Sequence, residues 1–180
     1  MSQNFKIAFA LEESDIAYFR KIFRNARKSA ADQDETSIIA AVQSLIDRVR
    51  KTKKTPSFVR EAVQILEDLV HMLQDTDYEL PKAPRAEMLG ALAYFANPED
   101  LIPDQVPGLG FLDDAIMIKL VEEELKHEIW GYRKFCKFRD GAEQRPWSMI
   151  AKERLPGRLK GRRDEIRAAI REREERDSAA

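Results

Sequence analysis

At 180 residues, with 43% hydrophobic and 35% charged side chains, the chain is long enough to bury a real core as one domain, or one domain with a tail. Its single cysteine, Cys136, excludes an intrachain disulfide and any cysteine-cluster metal site, and fits a reducing compartment, so the cytoplasm is the expected location. The formal net charge of -1 conceals two poles. Between Ala91 and Glu128, nine carboxylates stand against Lys119 and Lys126; between Lys152 and Arg163, six basic residues stand against Glu153, so a partner can meet either sign.

The N-terminal MSQNFKIAFALEESD has a brief apolar run and no basic leader, and reads as neither a secretory signal nor a spanning helix. Phe5, Ile7, Phe9 and Leu11 alternate as in a strand, but a single segment lacks a partner, and packing over a helical bundle is expected. Ser14 is placed to cap a first helix, in which Ile16, Phe19, Phe23, Ala26 and Ala30 form a buried stripe beside Arg20, Lys21, Arg24, Arg27 and Lys28. A second helix starts near Asp34, buries Ile38, Val42, Leu45, Ile46 and Val49, and runs into RVRKTKK, whose cations suit a helix C-terminus. Thr55 as cap and Pro56 as first position open a third, carrying Phe58, Val59, Leu66, Leu69, Val70 and Leu73.

A fourth helix opens around Pro84 and is short and rich in small residues (MLGALAYFA), which suits a central, closely packed element; this longest apolar run, Met88 to Ala96, is too short to cross a bilayer. Asn97-Pro98 ends it. After a loop, Asp113 or Asp114 begins a long fifth helix with Ile116, Leu120, Val121, Leu125, Ile129 and Tyr132 inside, reaching Phe138. From Arg145 onward, a Pro-Gly break at Pro156-Gly157 precedes a charged run with Ile166, Ala169 and Ile170, expected as an appended, partly mobile helix laced by ion pairs. Its acids Glu172, Glu174, Glu175 and Asp177 cancel the basic stretch before it, so nucleic acid is not the expected partner.

The loop NPEDLIPDQVPGLGFLDD is the most specialised stretch. Asn97, Pro98 and the acids after them have the form of a helix start, Gly108 and Gly110 permit positive φ, and Asp113 can cap the fifth helix while Asp114 meets its dipole. On that account the loop is a rigid corner. The sharper alternative is that Asp100, Asp104, Asp113 and Asp114 converge: carboxylates held together repel, so a persistent cluster needs a cation, a shared proton or a basic partner such as Arg85. Mg, Mn or Ca fits all-Asp ligation, although the spacing is not that of an EF-hand. A second metal pattern, Asp68-x-x-His71 with Glu124-x-x-His127, resembles half of a carboxylate-bridged di-metal bundle, but the first and fourth helices supply no inward glutamate to complete it.

Tyr94, Pro98, Asp100, Leu101, Ile102, Pro103, Asp104, Pro107, Gly110, Asp113 and Asp114 together resemble the signature of the YkvA-like family, small helical domains of unknown function in bacteria. EESDIAYFRKIFRNAR and HEIWGYRKFCKFR extend the resemblance from Phe9 to Arg139. It implies a helical fold and marks the loop, but no reaction; many relatives have greasier helices that look membrane-associated, a pattern from which Lys119 and Glu122 to Glu124 depart.

The expectation is therefore an all-α, compact bundle of about five helices with the Pro/Gly-rich acidic loop between helices four and five. Residues 1–140 form the YkvA-like domain and 141–180 a charged extension. The first functional reading is a soluble, non-enzymatic binding or adaptor protein that presents the 97–114 loop to a protein partner. The second is a divalent-metal-binding protein or metal-dependent enzyme using the Asp cluster, and the third is peripheral membrane attachment through basic helices.

Overall fold

The structure, a computed structural model, describes residues 10–29, 33–52, 55–96, 102, 109–143 and 149–179. Among these the chain is all-helical and bundle-like: α1 (Glu13–Ser29), α2 (Glu35–Lys51), α3 (Ser57–Gln74), α4 (Lys82–Leu92) continued by a 3-10 turn (Ala93–Ala96), α5 (Leu112–Glu124), α6 (Lys126–Glu143) and α7 (Met149–Ser178). That is more helices than expected, because the fifth is divided at Leu125, whose backbone (φ -98°, ψ 14°) leaves the regular α basin.

Local chemistry explains where the elements start. Asp34 caps α2, accepting the Ser37 N–H at 3.0 Å and the Ser37 hydroxyl at 2.6 Å, and these bonds hold its carboxyl below the usual range. The cap of α1 falls at Glu12 rather than Ser14: the Glu12 carbonyl accepts the first helical N–H groups, and Asp15 reaches back to the Glu12 N–H at 2.9 Å. Thr55 does not cap α3 either. Its buried hydroxyl donates to the carbonyls of Val49 (3.1 Å) and Thr52 (2.9 Å), closing the α2–α3 turn, and Pro56 stands at the cap position.

The core grows from the stripes. Ile38, Val42, Leu45, Ile46 and Val49 of α2 are all buried, facing an α3 that buries nine residues because it also packs on α5 and α6. Each such side chain contributes roughly 1.5–3 kcal/mol. Phe58, expected in this stripe, is instead 42% exposed in the first turn of α3.

Long-range contacts define two ends of the bundle. At one, Arg85 of α4 pairs with Glu35 at the start of α2 and donates to the Leu73 carbonyl near the end of α3 at 2.8 Å. At the other, the Arg48 guanidinium of α2 lies 6.0 Å from the ring centroid of Phe111, just before α5. Arg27 fixes the direction of α1: it pairs with Glu124 and donates to the Glu87 carbonyl at 3.1 Å, while the same helix touches the 3-10 turn. So α1 runs antiparallel to α4. A Cβ at Gly90 would come within 3.2 Å of the Arg27 side chain, a close approach that the small residues of α4 allow.

α7 lies along α6. A Cβ at Gly131 would fall 2.6 Å from Ile170 Cδ1 and 3.0 Å from Ile166 Cγ2, so glycine is what lets these two helices approach. Leu159, Ile166 and Ile170 are buried there. The helix runs through Pro156 without the expected break. Proline forfeits one backbone hydrogen bond, but Pro156 and Gly157 sit exposed, where the loss is least.

Candidate functional site

The corner that carries the loop is built on a strained residue. Phe111 caps α5 in the left-handed region (φ 67°, ψ 13°), rare for an aromatic side chain, yet it is buried to 3% exposure beneath Arg48. The α5 helix therefore starts at Leu112, not at Asp113 or Asp114. The Leu112 N–H donates to the Leu109 carbonyl at 3.0 Å, closing the turn. Tyr94 is buried in the 3-10 turn, edge-on to Phe95 at 5.1 Å, and Gly110 is buried too.

Asp113 and Asp114 are both buried, in the first turn of α5, where the helix dipole favours negative charge. Asp113 reaches out of the helix: its Oδ2 accepts the N–H of Ile102 at 3.0 Å, tying the loop to α5 across eleven positions. It is a clamp on the loop rather than a cap. Pro98, Asp100, Pro103, Asp104 and Pro107 lie outside the described residues, so the convergence of the four aspartates does too. Among the described residues Arg85 pairs with Glu35 and donates to the Leu73 carbonyl.

The Glu-x-x-His and Asp-x-x-His pairs do not come together. Asp68 is taken by Arg133 (2.7 and 3.0 Å) beside an exposed His71. Glu124 is taken by Arg27, and His127 sits between Asp177 (3.1 Å) and Arg173 (3.3 Å). Among the described residues no three His, Cys, Asp or Glu side chains are placed to hold a metal ion.

A second cluster, not anticipated from sequence, lies in a cleft of about 990 Å³ between α3 and α6. Asp75 gathers the N–H groups of Asp77 and Tyr78 (3.0 and 3.1 Å), the Tyr132 hydroxyl (3.1 Å) and Arg139 (2.8 and 2.9 Å). Cys136 lines the same cleft, its thiol pushed up by burial, which keeps it protonated and a poor nucleophile. Burial likewise raises the Tyr132 phenol. With its donors and acceptors paired to one another, the cluster fastens the α3–α4 turn to α6. The only sequence cue was the acid pair flanking Thr76 beyond the end of α3.

Fold and corner together define a helical domain organised around an acidic proline–glycine loop. The family model described as "Protein of unknown function (DUF1232)" matches residues 85–120, which are most of α4, the loop and most of α5. The chain is 32% identical over 80 residues to the "Uncharacterized membrane protein YkvA" of Bacillus subtilis (strain 168), covering 42% of this chain and 76% of that protein. It belongs to the YkvA-like family. No solved structure matches the chain. No helix among the described residues is long and apolar enough to cross a membrane.

Proposed function

We propose that the chain is a non-enzymatic binding module whose working surface is the corner formed by residues 97–114. One observation supports this: Leu11, Tyr18, Phe58 and Leu109 are large apolar side chains left exposed among the described residues, and the course of the helices directs the segments that carry them toward the end of the bundle where Arg48 meets Phe111. Leu11 precedes α1 and Tyr18 lies in its first half, the half directed toward the 3-10 turn; Phe58 lies in the first turn of α3 beside the closed α2–α3 turn; Leu109 lies in the turn that leads into α5. Ala96 and Leu109, which bound the loop, lie at the same end. Exposed apolar side chains on segments that lead into a proline- and glycine-rich loop suit a docking surface. Photo-crosslinking in the native cell tests it, with the crosslinker placed at Leu109 and, as control, at Gln74 on the opposite end. Discrete products from position 109 alone are expected; none there, or the same products from both, would sink the reading.

A second reading, work at a membrane surface, is favoured by the name of the Bacillus subtilis relative, which is called a membrane protein. Peripheral contact is the form of that association which the charged outer faces of the helices suit.

A further inference from the structure

Among the described residues α1 turns one face to the bundle and leaves the other exposed. Phe19, Ile22 and Phe23 pack inward. Arg20, Lys21, Arg24 and Lys28 are exposed and recur at helical spacing, so they share one outer face. None of them meets a carboxylate within 4.0 Å among the described residues. Tyr18, 56% exposed, lies one turn from Lys21, and Leu11, 37% exposed, precedes the helix. The acids Glu12, Glu13 and Asp15 are confined to its start, where the dipole favours them.

We propose that this face of α1 adsorbs to an anionic bilayer, an inference that gives the membrane-surface reading a specific contact and rests on it. Four cations spaced over roughly 12 Å of helix match a plane of fixed negative charge. The half-wet phenol of Tyr18 suits the headgroup layer, where an amphipathic ring finds both its environments. Duplex nucleic acid also presents phosphates, but it offers an exposed tyrosine and leucine no apolar layer to enter. The proposal therefore takes lipid.

Flotation with vesicles rich in phosphatidylglycerol, against pure phosphatidylcholine, at low and high salt, tests it on the full chain. Binding is expected only to the anionic vesicles and only at low salt. Each cation replaced by serine should lower the partition coefficient about fivefold, and R20S/K21S/R24S/K28S together several hundredfold. Tyr18→Ala should lower it a few-fold. Because all five side chains are exposed, far-UV circular dichroism should be unchanged in these variants. Serine at Arg154, Lys160 and Arg171, exposed cations of α7, is the control for bulk charge and should leave binding nearly intact; an equal loss per charge overturns the assignment to α1. If the quadruple variant still floats while Leu109→Ser does not, the α1 face is wrong and the membrane reading survives. If the unaltered chain floats with no vesicle, the membrane reading itself falls. Binding of a duplex oligonucleotide that depends on the four cations, without vesicle binding, would hand the face to nucleic acid.

Discussion

α1 and α7 both carry runs of cations, and they use their charge in opposite ways. Along α7 several arginines are consumed inside the molecule: Arg163 reaches Glu79 (2.8 Å) and the Asp77 carbonyl (2.6 Å), Arg167 pairs with Glu128 (2.6 Å), and Arg173 lies 4.5 Å from the Trp130 ring centroid. Arg158 and Arg162 flank Phe138 at 5.6 and 5.7 Å. Along α1 only Arg27 is drawn in, and the remaining cations face outward. Abundance of charge in a sequence therefore does not by itself say whether it serves folding or encounter. The difference lies in what the neighbouring helix offers: α6 and the α3–α4 turn present carboxylates and aromatic rings to α7, while nothing among the described residues faces the outer side of α1.

That contrast can be broken from the α7 side first. Glu128→Ala leaves Arg167 without its partner against the ring of Tyr78 (4.6 Å), and should destabilise by about 3–5 kcal/mol, read from the urea midpoint. Gly131→Leu forces a side chain into Ile166 and Ile170; a loss of about 1–3 kcal/mol is expected, with faster amide exchange in α7 than in α2.

A milder break comes from acid. Asp177 is held below the ordinary carboxylate range, chiefly by its hydrogen bond from Lys126. A carboxyl whose folded value is depressed contributes stability that is present above its unfolded value and is lost as pH falls through the folded one. Hydrogen exchange near Asp177, corrected for its intrinsic pH dependence, should accordingly quicken as pH falls below about 4, and Asp177→Asn should remove that dependence; an unchanged pH profile in the variant would refute the assignment. The smallest effect belongs to α1: serine at Arg20, Lys21, Arg24 and Lys28 should shift stability by no more than about 0.5 kcal/mol per site. A larger loss would show that these cations do structural work after all.

Much of the fold was legible because α2 and α3 obey a simple period: the α2 stripe from Ile38 to Val49 is buried as spaced, and Asp34 caps it. Boundaries set by the path of the backbone were not legible. Thr55 followed by Pro56 fits the pattern of a helix start, but the α2–α3 turn draws the hydroxyl inward, and nothing local in Phe111 announces a left-handed backbone. The docking of α7 escaped for a different reason. Leu159, Ile166 and Ile170 make a sparse stripe, and their partner surface around Gly131 is distant in sequence. At the corner, the hydrogen bond of Asp113 depends on where the Ile102 N–H lies, which spacing does not encode.

The lone thiol gives the molecule a built-in gauge. Cys136 sits half-buried and protonated in the cleft where α6 is fastened to the α3–α4 turn, so alkylating reagents should meet it slowly while α3 and α6 stay together. Whatever pries those helices apart hydrates the sulfur and speeds the reaction. The rate at which one native atom is labelled thus times the breathing of the whole bundle, without a single engineered probe.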